Sequence, residues 1–478
     1  MLTHATLALS RPRCSPTIAL RRTLESTTKS LRLFLSIFTY STLYRSALHA
    51  LLLLRSRILA DSTSYAPRTV HREEGSSSSN RATLTHRTRI YARLLRVLRS
   101  SATLPLLSAL LASPALLALL PPDAIPSASL GLWLISQSSS TAYTRARERG
   151  SRLVSWVPSW ANSSLLYALG NGQLLWAFLF ESTTFPQGYR NVILARSGTY
   201  IQPRPSHLPA GVDWPSKATI SDHVALLATP SGTAKPFPSF TSPLLSSLGE
   251  KASRHPTTPY GAINPILDYS PAHPAHTRLM CAMLHPREPS CRTTLWNHFR
   301  AEWPASARFA GLFALLSSLL FRAKSWKRDP ERQLFKLFSA TLQGASVISG
   351  SIGTSWALIC FFQHYLPATF LPRSRFFLNG FLSSLIWIKV VPRERRRELG
   401  LYTGRMSVQS TWDILERRGM VKGVKRGDVL VLAVGLGMLA ALYEGGQGER
   451  GGAGAIAKRL FGERIQGVGE EGEERRGE

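Results

Sequence analysis

The run from Phe338 to Phe362 contains not one Asp, Glu, Lys or Arg. At a helical rise of about 1.5 Å per residue, such a segment crosses about 30 Å of hydrocarbon, and in lipid a lone segment satisfies its own backbone polar groups only as a helix. A chain carrying it is expected to be a membrane protein. Further candidate spans are Leu33 to Leu54, Leu104 to Leu120, Ser164 to Phe180, Phe309 to Phe321, Phe376 to Val391 and Val429 to Tyr443. Several are short, which tilted, re-entrant or interfacial placement accommodates. The expected fold class is all-α, a polytopic helical membrane protein of about seven spans within a range of about five to eight.

The charge is read by where it falls. Fifty-eight Lys and Arg against 28 Asp and Glu give a net charge of +30, a balance that suits a nucleic-acid binder or a protein facing anionic lipid. The basic residues gather beside the apolar blocks, as at Arg93, Arg96 and Arg99 before Leu104, Arg393 to Arg397 after Val391, and Arg417 to Arg426 before Leu430. No zinc-finger, RRM or basic-zipper pattern accompanies them, so the expected partners are membrane lipids, anionic phospholipids included, and not nucleic acid. By the positive-inside rule, residues 55 to 99, 322 to 336 and 392 to 426 are expected on the cytosolic or matrix side.

Between the apolar blocks, residues 202 to 306 contain 16 of the 30 prolines and read as a long extramembrane loop. Residues 1 to 30 are Ser- and Arg-rich with the single acid Glu25, a pattern shared by transit peptides and by basic tails preceding a span; we read a basic tail. Residues 445 to 478 form a disordered Gly- and Glu-rich tail. Leu130 to Tyr143 and Leu399 to Trp412 are less apolar and are expected as helices on or beneath the membrane surface.

Three strings recur in order. Ser101-Ala102-Thr103-Leu104 matches Ser339-Ala340-Thr341-Leu342, Leu130-Gly131-Leu132-Trp133 matches Leu399-Gly400-Leu401-Tyr402, and Gly170-Asn171-Gly172 matches Gly435-Leu436-Gly437. They predict two degenerate repeats, residues 31 to 201 and 307 to 444. The first two strings lie much closer together in the first half, from Leu104 to Leu130, than in the second, from Leu342 to Leu399, so the first copy is expected to be short of one span.

Within the long span, Ala345, Ser349 and Gly353 recur every fourth residue, with Ser346, Gly350 and Thr354 alongside. Small residues in such rows let helix backbones approach closely, so Ala345, Ser349, Gly350 and Gly353 are expected to pack on another helix, of this chain, a second copy or another membrane protein; a pore lining is the alternative. Arg45 interrupts the first span, where a charge costs about 2.5 to 3.5 kcal/mol, and is expected in an interfacial or inward-facing helix. A contact to a lipid phosphate is the sharper reading for Arg45, and likewise for Arg93, Arg96 and Arg99, which with Arg89 recur at helical spacing. Trp176, Phe178, Phe180, Phe185 and Tyr189 beside Arg190 read as an interface anchor, with Arg190 toward phosphate.

Cys281, His285, Cys291 and His298 offer zinc-type donors, but no tight Cys-x-x-Cys pair frames them. No metal and no cofactor is assigned on this pattern. The four cysteines are too few and scattered for a disulfide framework. Gly-x-Ser-x-Gly, His-Glu-x-x-His and Walker patterns are all missing, as are paired carboxylates in the apolar segments, so no catalytic residue is assigned and no enzyme is expected.

Phe185-Pro186-Gln187-Gly188-Tyr189-Arg190 continues through Ile193, Ser197-Gly198 and Tyr200 to Pro203-Arg204-Pro205. Later come His285-Pro286 with Pro289-Ser290-Cys291, then Leu378-Asn379-Gly380 leading through Arg393 to Arg397 to Leu399 and Tyr402, and finally Arg418-Gly419. In this order the strings resemble the fungal transmembrane protein 135-like family, itself similar to the mitochondrial inner-membrane import-channel and peroxisomal membrane protein families. The resemblance covers most of residues 160 to 205 and 280 to 445; it departs in the shortened first half and the N-terminal region. It implies a non-enzymatic, multi-spanning protein of mitochondria or peroxisomes, linked to organelle dynamics, membrane organisation or lipid homeostasis. A channel or transporter, and a membrane-bound lipid-modifying enzyme, are the alternatives.

Overall fold

A computed structural model describes residues 16–64, 103–121, 126–158, 160–206, 208–209, 211–229, 235–242, 263–270, 272–446 and 452–464. They are overwhelmingly helical, and the only extended pairing among them is one antiparallel bridge between Ser239 and Arg278. The chain divides into two compact units, Met1–Trp156 with Gly423–Glu478, and Val157–Lys422.

In the first unit the principal helices are α1 (Pro16–Ser64), α2 (Thr103–Leu119) and α3 (Ser127–Glu148). The second unit contributes α4 (Ser163–Phe180), α5 (Gln187–Ala195), α6 (Lys217–Ala228), α7 (Asn264–Tyr269), α8 (Leu279–Leu284), α9 (Cys291–Arg328), α10 (Pro330–Tyr365), α11 (Ser374–Trp387) and α12 (Arg393–Arg417). The chain then returns to the first unit with α13 (Gly427–Glu444) and α14 (Gly452–Phe461).

Local chemistry sets these ends. Asp329 accepts a hydrogen bond from the Arg332 amide, Pro330 occupies the first turn and Glu331 follows it, so α10 begins with a capped and charge-matched N-terminus. Asn162, Ser216 and Ser290 cap α4, α6 and α9 in the same way. Gly419, at a φ of +69°, ends α12 in the left-handed region that leucine or valine would enter only with strain.

Among the described residues, three helices are long and apolar enough to cross a membrane: α9 over Cys291–Leu320, α10, and α13; α2 is apolar but shorter. The runs near Leu33 to Leu54, Ser164 to Phe180 and Phe376 to Val391 are also helical, within α1, within α4, and in α11 with its 3-10 extension Ile388–Val390.

Inside each unit the same seam recurs. In the first, α13 lies between α2 and α3, and α2 in turn packs on α1. A Cβ on Gly435 would meet the Gly131 carbonyl oxygen of α3 at 2.8 Å, and one on Gly437 would meet Leu106 of α2 at 3.0 Å. In the second unit α4 lies between α11 and α12, and α11 packs on α10. There a Cβ on Gly170 would meet the Thr403 backbone of α12 at 3.1 Å, and one on Gly172 would meet the Phe377 carbonyl oxygen of α11 at 3.0 Å. Two glycines, two positions apart, thus admit one neighbour each. The matched strings at Gly170 and Gly435, and at Gly131 and Gly400, occupy corresponding places. By its packing α2, which begins at Thr103, takes the part of α11, not of α10.

Described parts of residues 202 to 306, expected as a Pro-rich extramembrane loop, form short helices that join the second unit's core. Ile220, Val224, Leu227, Ile263, Ile266, Leu267 and Met283 are buried in one apolar cluster with Phe178, Phe185 and Phe376. Proline is compatible with this arrangement because the helices there are short and Pro265 sits in a first turn, where no amide donor is needed. The units also divide the chain at Trp156 and Val157, inside the expected first repeat.

Candidate functional site

The small-residue face of α10 is covered from within the second unit. Ala345 and Ser349 are fully buried, Gly350 lies under the Trp387 ring and Gly353 under the His298 imidazole. Trp387 donates to Thr354 Oγ1 at 2.9 Å and Trp303 to Ser346 Oγ at 3.3 Å, so the hydroxyls of the second row take indole partners.

Of the basic residues singled out from sequence, Arg93, Arg96 and Arg99 lie outside the described residues. Arg45 Nε donates to the Phe461 carbonyl at 2.7 Å and so neutralises the C-terminal end of α14, where orphan carbonyls and the helix dipole favour a cation. Arg190 does not face phosphate: its Nη2 meets Asp222 Oδ1 at 2.9 Å, and its side chain is only 11% exposed. The reason is α6, which forms where a loop was expected and lays Asp222 and Ser221 over it. Phe178 and Phe185, expected at the membrane interface, are buried for the same reason. Asp222→Asn is expected to destabilise the second unit by about 1 to 2 kcal/mol, less than a fully buried pair because Asp222 is partly exposed. Thermal melts of the purified chain check this, with Arg190→Gln added on Asp222→Asn expected to recover part of the loss.

A cavity of about 610 Å³ opens between α4, α5, α10, α11 and α12. Its wall is mostly aliphatic and aromatic, with Ser351, Ser355, Ser383, Ser384, the Asn171 amide and three tyrosines among the lining residues, and no His, carboxylate, Lys or Arg among the described residues lines it. Ser355 and Ser383 bond each other at 2.7 Å. The family-string residues Pro186, Tyr189 and Gly380 border this cavity. Gly380 also fits against the Asn171 carbonyl oxygen, 2.5 Å from where its Cβ would be.

A second cluster is polar. Cys281 on α8, His285 just beyond its end, Cys291 at the start of α9 and Cys360 on α10 place their ligand atoms within 4.8 Å of one another. His285 Nε2 lies 3.5 Å from both Cys291 Sγ and Cys360 Sγ. Its other ring nitrogen, Nδ1, is 2.8 Å from the Glu288 carbonyl, which can only accept, so Nδ1 carries the proton and Nε2 points at the sulfurs. Burial opposes charge on His285, but its contacts with Cys281, Cys291 and the Glu288 carbonyl outweigh that and raise its pKa to about 10. Nearby, the Tyr200 hydroxyl is buried without a hydrogen-bond partner among the described residues. Burial first, then the charge on Cys360 and Cys291, push this phenol above its usual range.

These are donors that can hold a metal, and they differ from the set suggested by sequence in one member. His298 is elsewhere: its Nε2 meets the Ser349 carbonyl at 3.2 Å against the small-residue face. Cys360 replaces it, one long helix further along the chain than Cys291, where no local spacing could announce it. The available signal was on α10 itself, where Trp356, Cys360 and Gln363 fall at i, i+4 and i+7 as the polar-capable stripe of an apolar span. Trp356 donates to Ser197 Oγ at 2.9 Å and Gln363 to Met280 Sδ at 2.9 Å, so this stripe grips Ser197 and Met280.

Comparison with protein-family models, with curated proteins and with solved structures finds no match to the chain.

Proposed function

We propose that the chain is a non-enzymatic integral membrane protein of an intracellular organelle, a mitochondrion or a peroxisome, serving membrane organisation and lipid homeostasis, with the cavity of the second unit receiving a lipid acyl chain. The observation that carries this reading is the outer face of α9, where Phe309, Leu312, Phe313, Leu316 and Leu320 stand exposed along a helix of membrane-spanning length. A continuous apolar band of that kind is unfavourable in water and costs nothing against lipid tails. The cavity supports the lipid element, since a mostly aliphatic and aromatic wall with interspersed hydroxyls suits a chain carrying an ester or carboxyl end. The organelle and the broader role rest on the ordered strings resembling the transmembrane protein 135-like family.

The proposal includes an origin by duplication. The paired glycine seams of α4 and α13, each held between one apolar and one more polar helix, are what two copies of a single unit would retain. On this reading the copies have exchanged their final helices: α4 follows α3 in the chain but packs with α11 and α12, and α13 follows α12 but packs with α2 and α3.

Tagged full-length protein is expected to remain in the pellet after carbonate extraction of an organelle fraction; release into the soluble fraction overturns the membrane reading. Ser355→Leu fills the cavity and is expected to reduce co-purifying lipid severalfold while leaving the elution profile unchanged; unaltered lipid content overturns the cavity assignment. A transport function is the second reading, favoured by the hydroxyls of Ser351, Ser355 and Ser383. Solute flux into proteoliposomes, blocked by Ser355→Leu, would establish it over lipid storage.

A further inference from the structure

We infer that Cys281, His285, Cys291 and Cys360 form a closed tetrahedral site for one zinc ion, which ties residues 281 to 291 to the α10 membrane helix. The inference is independent of the lipid reading and rests on four observations.

The first is distance. A tetrahedron with metal–sulfur bonds of about 2.3 Å and a metal–nitrogen bond of about 2.0 Å has sulfur–nitrogen edges of about 3.5 Å. Both measured separations from His285 Nε2, to Cys291 Sγ and to Cys360 Sγ, are 3.5 Å. The second is orientation. A metal-bound imidazole characteristically donates its remaining N–H to a carbonyl or carboxylate, which fixes the tautomer and turns the lone pair to the metal. The Glu288 carbonyl does this for His285 at 2.8 Å. Third, the donors converge on one point: three sulfurs and one imidazole nitrogen all lie within 4.8 Å of one another.

The fourth is burial. Cys281, Cys360 and His285 are buried and only Cys291 is partly exposed, which leaves no open coordination position for water or substrate. Closed sites with four protein ligands are structural, whereas catalytic zinc keeps a position free. Three thiolates and one imidazole select zinc among common ions: oxygen-seeking magnesium and calcium are excluded by ligand type, and iron–sulfur clusters of this size ordinarily take four thiolates. Binding displaces the three thiol protons to solvent and leaves His285 neutral at Nε2, so the bound cluster carries a charge of about −1.

The site would do for residues 281 to 291 what packing alone does poorly. The segment holds Pro286 and Pro289 and only the short helix α8, and its link to Cys360 closes a loop of 75 residues from His285. A metal crosslink there removes conformational freedom from the unfolded chain, most effectively for a long loop.

The test uses the full-length protein purified in detergent without chelators. Elemental analysis is expected to give about one zinc per chain, falling to background in Cys291→Ser and in His285→Ala, with Cys14→Ser unchanged. Exchange into cobalt is expected to produce the visible absorption of a tetrahedral cobalt thiolate in the unmodified chain, a readout that does not depend on any variant folding. Thiol titration after denaturation with chelator is expected to find all four cysteines reduced. Substoichiometric zinc in protein from zinc-supplemented cells, stoichiometric iron or copper instead, or a disulfide that lowers the titration to about two thiols would each overturn the assignment.

Discussion

Replacing Gly131 with leucine is expected to prevent the first unit from closing. A Cβ at this position would lie 2.6 Å from the Leu432 backbone nitrogen and 2.7 Å from the Val431 carbonyl carbon, so the obstruction is main chain and no side-chain rotation relieves it. Overpacking a core costs about 1 to 3 kcal/mol when neighbours can adjust; here α3 and α13 must separate, and the cost lies at or above that upper end. Gly131→Ala is expected to fall between glycine and leucine. Gly211→Leu, where a Cβ meets nothing within 4 Å, is the control. The monodisperse fraction after heating in detergent, read by size exclusion, checks the series; equal stability of Gly131→Leu and the control would refute the seam.

The second large effect is expected at Arg375, fully buried at the start of α11. Its Nη2 donates to the Pro367 carbonyl at 2.8 Å and to that of Phe370, and its guanidinium lies 4.6 Å from the centre of the Phe237 ring. These contacts hold the turn between α10 and α11, in which Leu371 adopts a φ of +43°, a left-handed conformation that costs a leucine about 1 to 2 kcal/mol. Arg375→Ala removes charge-assisted bonds to two carbonyls and the stem's packing together, with an expected loss of about 3 to 5 kcal/mol. Arg375→Met keeps the stem's bulk and should recover the packing share only. Leu371→Gly is expected to return about 1 kcal/mol in the Arg375→Ala background by relieving the turn. Chemical denaturation followed by tryptophan fluorescence measures all three.

Features written in contiguous residues are legible from the sequence alone. The uncharged run from Phe338 to Phe362 admits only a helix in lipid, and the rows containing Ala345, Ser349, Gly350 and Gly353 mark a face that needs a close neighbour, here Trp387 and His298. The glycine strings mark the two seams as well. What sequence could not convey was which helices meet across each seam, because Gly435 carries no signal that its neighbour is Gly131 rather than a residue adjacent in the chain. Residues 202 to 306 misled for a related reason. Helices as short as α7 and α8 span less than two turns, too few for the helical period to show, and their burial depends on Phe178 and Phe376 arriving from distant segments. The thiol cluster combines both difficulties. Three of its four donors fall between Cys281 and Cys291, but the fourth comes from near the C-terminal end of a long apolar helix, where a single cysteine looks like one more small apolar residue.

The place of α13 sets a timetable for synthesis. The helix that fills the seam between α2 and α3 begins at Gly427, whereas α3 ends at Glu148, so the whole second unit is made between them. At translation rates of about 5 to 20 residues per second, the groove around Gly131 and Leu134 stands open for about 15 to 55 seconds. Throughout that interval the nascent first unit must be shielded by lipid, by the insertion machinery or by a chaperone. A ribosome that stalls anywhere in the second unit leaves the first one open.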